Sequence, residues 1–268
     1  MWFTDTLAGV LFVDEGPRGA PPIVFVHGIP GSVDWFAAVA ERMSGDSRVI
    51  RVDVREHGAE TGDFAAAARA APLVVLLGEL DLSEVTVVGH SFGAEIALEL
   101  AAISRRVARV VVVGQAPDYA AASIPGFARW VVRPWTVRLV QRWAPGVVIR
   151  LAHRTVFAPR FRYESAPGLA EAMVRDFRAA VPAGLVYAVG ARGDAFAADP
   201  LDARAAALDV PVLAVHGRHD HLYDATATLE RFAAAGARTH LVEHAGHSPQ
   251  VEQADEFVSV LRDFIGST

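Results

Sequence analysis

The chain of 268 residues contains no Cys, no Lys and no Asn, so all 25 of its basic side chains are Arg. Each absence excludes chemistry. Without Lys there is no Schiff-base enzyme, no P-loop lysine and no Ser-Lys hydrolase. Without Cys there is no thiol nucleophile, disulfide framework, Cys-ligated zinc or iron–sulfur cluster. A covalent nucleophile must then be Ser, Thr, Asp, Glu, His or Tyr. Long hydrophobic runs are missing too: Leu73–Leu77 and Val110–Val113 fall far short of a bilayer span. The start, Met1-Trp-Phe-Thr-Asp5, has neither the basic residues nor the apolar stretch of a signal peptide. A soluble, cytoplasmic protein without a transmembrane segment is the expectation. The net charge of −6 argues against nucleic acid as the main partner.

What is present is an alternation. Ile23–Val26, Val49–Val52, Val85–Val88, Val110–Val113 and Val212–Val215 are unbroken apolar runs, as expected for strands covered on both faces. Between them, Val33–Met43, Phe64–Leu77 and Phe92–Ile103 have helical length and composition. This order predicts an α/β fold with a doubly wound, mostly parallel sheet. Leu11-Phe-Val13 is a candidate antiparallel edge strand. From Pro117 to Leu208 the strands stop and Pro-punctuated helical pieces take over, a stretch too long for a loop. Residues 1–116 and 209–268 are therefore expected to form the core, and 117–208 an inserted helical cap.

The sharpest motif is Gly89-His-Ser-Phe-Gly93, between the strand ending at Val88 and the helix starting near Phe92. A nucleophile on so tight a strand-to-helix turn requires small residues two positions before and after it, and Gly89 and Gly93 satisfy that. The helix N-terminus behind Ser91 adds free N–H groups and partial positive charge. A serine hydroxyl also needs a base and a group that orients the base. His247 lies after the strand candidate Thr239–Val242, and Asp220 just past the end of Val212–Val215. Both stand at carboxyl ends of strands, where open sheets hold ligands, and in the nucleophile–acid–His chain order of this turn type. His244 competes with His247; Asp224 and Asp118 compete with Asp220. His216, His219, Asp220 and His221 have metal-ligand chemistry, but their H-x-x-H-D-H spacing is one short of the metallo-β-lactamase pattern. Neither metal nor cofactor is expected.

A tetrahedral oxyanion needs two fixed N–H donors. Phe92, following the nucleophile, supplies one. In His27-Gly-Ile-Pro-Gly-Ser32, Ile29 supplies the other, because Pro30 has no N–H. His27 is read as a structural hydrogen-bonding residue.

Taken together, HGIPGS at 27–32, DVREHG at 53–58, GHSFGA at 89–94, HGRHD at 216–220 and HAGHSPQVEQADEF at 244–257 resemble the α/β-hydrolase superfamily. The resemblance covers nearly the whole chain. It implies Ser91 as nucleophile, His247 as base and then acid, Asp220 as its orienter, and Ile29 and Phe92 as oxyanion donors. It departs at Glu56, where relatives carry Gly. Ser at position 91 excludes the carboxylate-nucleophile dehalogenases and epoxide hydrolases, leaving acyl transfer from a small-molecule substrate, a carboxylic ester above all. Alternatives are C–C bond hydrolysis of a ketone-bearing ring-cleavage product, cofactorless haloperoxidase or perhydrolase chemistry, and a slow-turnover ligand receptor.

Residues 119–163 carry eight Arg and no acid, so this window is +8 within a chain of −6. The ordinary reading is Arg faces that are solvated or paired with acids elsewhere. The functional alternative is a positive lid attracting an anionic acyl substrate or an acidic lipid surface. Trp130, Trp135 and Trp143 lie among these Arg and are candidates for an apolar acyl pocket between cap and core.

Overall fold

The computed structural model of the chain describes residues 4–7, 9–54, 62–120, 122–123 and 131–267. Its strands are β1 (Thr4–Leu7), β2 (Val10–Glu15), β3 (Pro22–Val26), β4 (Arg48–Asp53), β5 (Val85–His90), β6 (Val107–Val113), β7 (Val212–Gly217) and β8 (Arg238–Val242). They form one eight-stranded sheet in the order β1-β2-β4-β3-β5-β6-β7-β8. From β4 through β8 every neighbouring pair is parallel; β1 and β2 are antiparallel additions. Leu11-Phe-Val13 thus lies in an antiparallel strand, but not at the edge. The edge is β1, whose Thr-Asp-Thr start carries no apolar run to betray it, and whose hairpin to β2 uses Gly9 at φ +76°.

The parallel strands are apolar on both sides because both sides are covered. Val24 and Val26 face a core shared with α2 (Ala66–Glu79) and α3 (Phe92–Ile103). Their alternates Ile23 and Phe25 pack with α1 (Ala37–Met43) and the C-terminal helix Ala254–Gly266. Leu73, Leu76 and Leu77 of α2 are fully buried, each contributing about 1.5–3 kcal/mol of transfer free energy.

Between β6 and β7 the chain forms α4 (Pro134–Trp143), α5 (Gly146–Arg154), α6 (Leu169–Ala179), α7 (Pro182–Val189), α8 (Ala191–Ala198) and α9 (Leu201–Ala206). Pro134 and Pro182 open α4 and α7, where a missing N–H costs nothing. These helices are held to the core by a small cluster in which Phe157, Phe161, Leu169 and Met173 pack on Trp35. A fully buried carboxylate adds to it: Asp176 of α6 accepts from Ser32 Oγ at 2.8 Å and from Trp35 Nε1 at 3.0 Å. After β7 come α10 (Ala225–Ala234), β8, α11 (Pro249–Glu252) and α12 (Ala254–Gly266).

The strand order fixes where a site can form. The chain leaves β3 toward β4 on one side and later sets β5 on the other. The loops after β3 and β5 therefore part at this switch point and leave a crevice above the sheet.

Candidate active site

Ser91 stands in that crevice, between β5 and α3, at φ 51° and ψ −112°. A non-glycine residue held there stores about 1–3 kcal/mol of backbone strain. The Ser91 N–H donates to the Val113 carbonyl at 2.8 Å, and the Ser91 carbonyl accepts from Ala94 at 3.0 Å. The turn closes only because its flanks are bare. A Cβ on Gly89 would collide with the Gly93 carbonyl, and one on Gly93 with the Val26 carbonyl.

Beneath the turn lies a buried charge cluster that sequence reading missed. Arg192 of α8 is in an ion pair with Glu95 of α3 at 3.2 Å. It also donates to Tyr119 Oη at 2.7 Å, Gln115 Oε1 at 3.1 Å and the Ser91 carbonyl at 3.3 Å. Burial works against its charge, but Glu95 together with Tyr119 and Tyr223 outweighs it, so the guanidinium is held above its ordinary value. Arg69 is drawn down to about 10 by desolvation. The Phe92 ring lies against both, its centroid 4.2 Å from the Arg69 guanidinium and 4.7 Å from that of Arg192. Two cation–π contacts thus hold the side chain that follows Ser91.

His247 and Asp220 converge on Ser91. His247 Nε2 lies 3.0 Å from Ser91 Oγ, and Nδ1 lies 2.8 Å from Asp220 Oδ2. The same Oδ2 accepts from His216 Nε2 at 2.9 Å, and Oδ1 accepts from the Leu222 amide at 2.7 Å. Burial pushes the Asp220 carboxyl up, but His247 and His216 overcome it and hold it well below the usual carboxylate range. An ionised Asp220 only accepts, so Nδ1 donates and Nε2 is left to accept the Ser91 proton.

The competing residues lie elsewhere. Asp118 is in an ion pair with Arg231 at 2.6 Å. Asp224 caps α10 through the Ala227 amide. His244 is exposed, and so are His219 and His221. Among the described residues no cluster of three His, Asp or Glu side chains could hold a metal. His27 accepts the Val54 N–H at Nε2 (3.1 Å) and donates from Nδ1 to the Gly28 carbonyl (2.7 Å), tying the β3 loop to the end of β4.

Above Ser91 opens a cleft of about 260 Å³. Gly28, Ile29, Pro30 and Trp35 line one wall; Ala152, His153 and Val156 of the inserted segment line the other. No arginine lines it among the described residues, so the alternative of a positive lid attracting an anionic substrate has no cationic side chain there. Trp135 and Trp143 do not line it either: they are 68% and 72% exposed. The helix face that packs inward carries Val137 and Ile149 instead. Trp130 and residues 55–58 of the DVREHG motif lie outside the described residues.

One further carboxylate organises the site. Buried Glu252, five positions after His247, accepts N–H bonds from Gly246 (2.9 Å) and Ser248 (3.1 Å) on either side of the imidazole, and from Ala158 (2.7 Å). The His247 amide adds a bond to the Val156 carbonyl at 2.8 Å. The His247 loop is thus stitched to the inserted segment. Glu252→Gln loses one acceptor and points an amide at a donor, so it should cost about 1–3 kcal/mol in urea unfolding. Loosening the imidazole should also lower kcat by about tenfold to a hundredfold.

His90 supplies a pH signature. Its Nε2 donates to the His247 carbonyl at 3.0 Å, and its ring lies over Trp35. Desolvation, then the neighbouring His247, lowers its pKa to about 3. Between that value and an unfolded value of about 6.5, the unfolded chain binds the extra proton. Stability should therefore fall as pH drops from 7, by about 2 kcal/mol at pH 5 from this residue. Urea titrations at pH 7 and pH 5 should show a shallower loss in His90→Gln than in the native chain.

The sequence profile of the alpha/beta hydrolase fold family matches residues 21–254, and the chain belongs to that family. Some of the relatives it matches carry esterase names. Esterase YbfF of Escherichia coli (strain K12) is 36% identical over 102 residues, which is 37% of this chain and 40% of that protein. The match to that relative therefore spans less than half its length. The 2-succinyl-6-hydroxy-2,4-cyclohexadiene-1-carboxylate synthase of Klebsiella pneumoniae (strain 342) is 26% identical over 260 residues, 95% of this chain and 98% of that one. Among solved structures, an esterase from Exiguobacterium antarcticum shares the fold at TM-score 0.75 over 99% of both chains, with 21% identity.

Proposed function

We propose that the chain is a serine hydrolase that cleaves a carboxylic ester, or a related acyl compound, through an acyl-enzyme on Ser91. The observation that carries this reading is the continuous chain of contacts from Asp220 through His247 to Ser91 Oγ at the floor of the cleft. His247 takes the Ser91 proton as Oγ attacks the acyl carbon, then returns it to the departing alcohol. Asp220 holds the tautomer and stabilises the imidazolium. The Ile29 and Phe92 amides receive the oxyanion, and Phe92 is preorganised for this by its two guanidinium neighbours. Water activated by His247 then releases the acid. In this reading residues 117–208 act as a cap over the cleft, with Ala152, His153 and Val156 meeting the substrate. A fluorophosphonate tests the nucleophile directly. Peptide mass spectrometry should find one adduct, on Ser91, formed fastest where the native chain turns over p-nitrophenyl esters fastest. Labelling at another serine, or no labelling of an active preparation, contradicts the assignment.

A further inference from the structure

Among the described residues, eight of the eleven exposed large apolar side chains fall within residues 131–151. On α4 they include Trp135, Leu139 and Trp143; on α5 they are Val147, Val148 and Leu151. So much apolar surface in one place marks an interaction site. The same face is cationic. Arg138 and Arg142 stand beside Trp135 and Trp143 along an outer groove of about 550 Å³, and Arg142 lies 5.4 Å from the Trp143 ring. Among the described residues neither these two nor Arg150 is in an ion pair. No acidic residue occurs from 119 to 163 to neutralise them.

We propose that α4 and α5 form a membrane-docking face that lies flat on a bilayer rich in anionic lipid headgroups. At 10 and 9 residues these helices are far too short to cross a bilayer. Their make-up, Trp and aliphatic side chains interleaved with Arg, is that of helices seated in the interfacial plane. The apolar residues enter the headgroup boundary while the guanidiniums meet lipid phosphates. Charge decides against a second copy of the chain as the occupant. A two-fold interface sets a patch against itself, which here would oppose arginines with arginines. Docking also has a direction. The opposite side of α5 carries buried Ile149 and the cleft-lining Ala152 and His153, so α5 would stand between the lipid and the cleft. The proposal does not depend on the reaction at Ser91.

Co-sedimentation with phosphatidylglycerol and phosphatidylcholine vesicles tests it. The native chain should sediment with the anionic vesicles and not with the zwitterionic ones, less so as salt rises, and its Trp emission should shift to the blue. The double variants Arg138→Glu/Arg142→Glu and Leu139→Asn/Leu151→Asn should each lower partitioning at least tenfold while keeping the native unfolding midpoint. Failure of the native chain to bind anionic vesicles at low salt would overturn the proposal, as would unchanged binding by both variants. A dimer in sedimentation velocity that Leu139→Asn/Leu151→Asn splits, without vesicle binding, would assign the face to a second copy instead.

Discussion

Ser91→Ala should remove ester hydrolysis almost completely, lowering kcat by about five to six orders of magnitude, while the fold stays as it is. The substitution deletes one oxygen at the floor of an open cleft and creates no core cavity. Cβ is retained, so the strained φ of 51° is unchanged. The Ser91 amide still donates to Val113, and its carbonyl still accepts from Ala94 and Arg192. The unfolding midpoint should therefore move by no more than about 3 °C, since only an interaction worth about 0.5–1.5 kcal/mol is lost. What rate remains should come from the oxyanion donors and substrate positioning, which alone give about a thousandfold or more over water. Turnover of p-nitrophenyl acetate, read beside circular dichroism of the same preparation, is the check. Activity within tenfold of native would remove Ser91 from the nucleophile's role.

The parts of the site legible in the sequence are those dictated by local sterics and chain order. Gly89 and Gly93 announce the turn because no side chain fits between the strand and the helix there. Asp220 and His247 could be placed at strand ends that parallel topology brings to one edge, but Asp118 also follows a strand end, and only the contacts of the fold separate the two: Asp220 bonds His247 while Asp118 pairs with Arg231. Glu252 was not legible. Its role depends on residues 156–158 of the inserted segment arriving beside the His247 loop, a tertiary contact that leaves no local pattern. Arg192 and Glu95 escaped for the same reason: they lie 97 positions apart and meet only beneath the turn. Trp135 and Trp143 misled because hydrophobicity alone does not tell which face of a helix is buried. In α4 and α5 the faces that pack inward are narrow and filled by Val137 and Ile149, leaving the larger rings outside. Over half of a folded surface is apolar in any case. The excess of arginine was plain from composition; that no described arginine lines the cleft was not.

Asp220→Asn should lower kcat by about ten-thousandfold without displacing a backbone atom. The carboxylate accepts three bonds, two at Oδ2 from His216 and His247 and one at Oδ1 from the Leu222 amide. Asn has one acceptor oxygen. If it stays with the Leu222 N–H, its NH2 group meets both imidazoles, and His247 must turn Nδ1 into an acceptor. The ring proton then moves to Nε2, which can no longer accept from Ser91 Oγ at 3.0 Å. The loss should therefore appear in kcat, with KM nearly unchanged. The sign of the pH effect on stability is also fixed. A carboxyl held below its unfolded value of about 3.9 stabilises the fold above that pH, and the contribution is lost as acid protonates it. Asp220→Asn should accordingly be the less acid-sensitive protein below about pH 4, a window that overlaps that of His90 only down to about pH 3. Asp118→Asn is the control. It breaks a partly exposed ion pair with Arg231, worth about 1 kcal/mol or less, and should leave kcat within about threefold of native. If Asp118→Asn collapses the rate and Asp220→Asn does not, the acid lies after β6 rather than after β7.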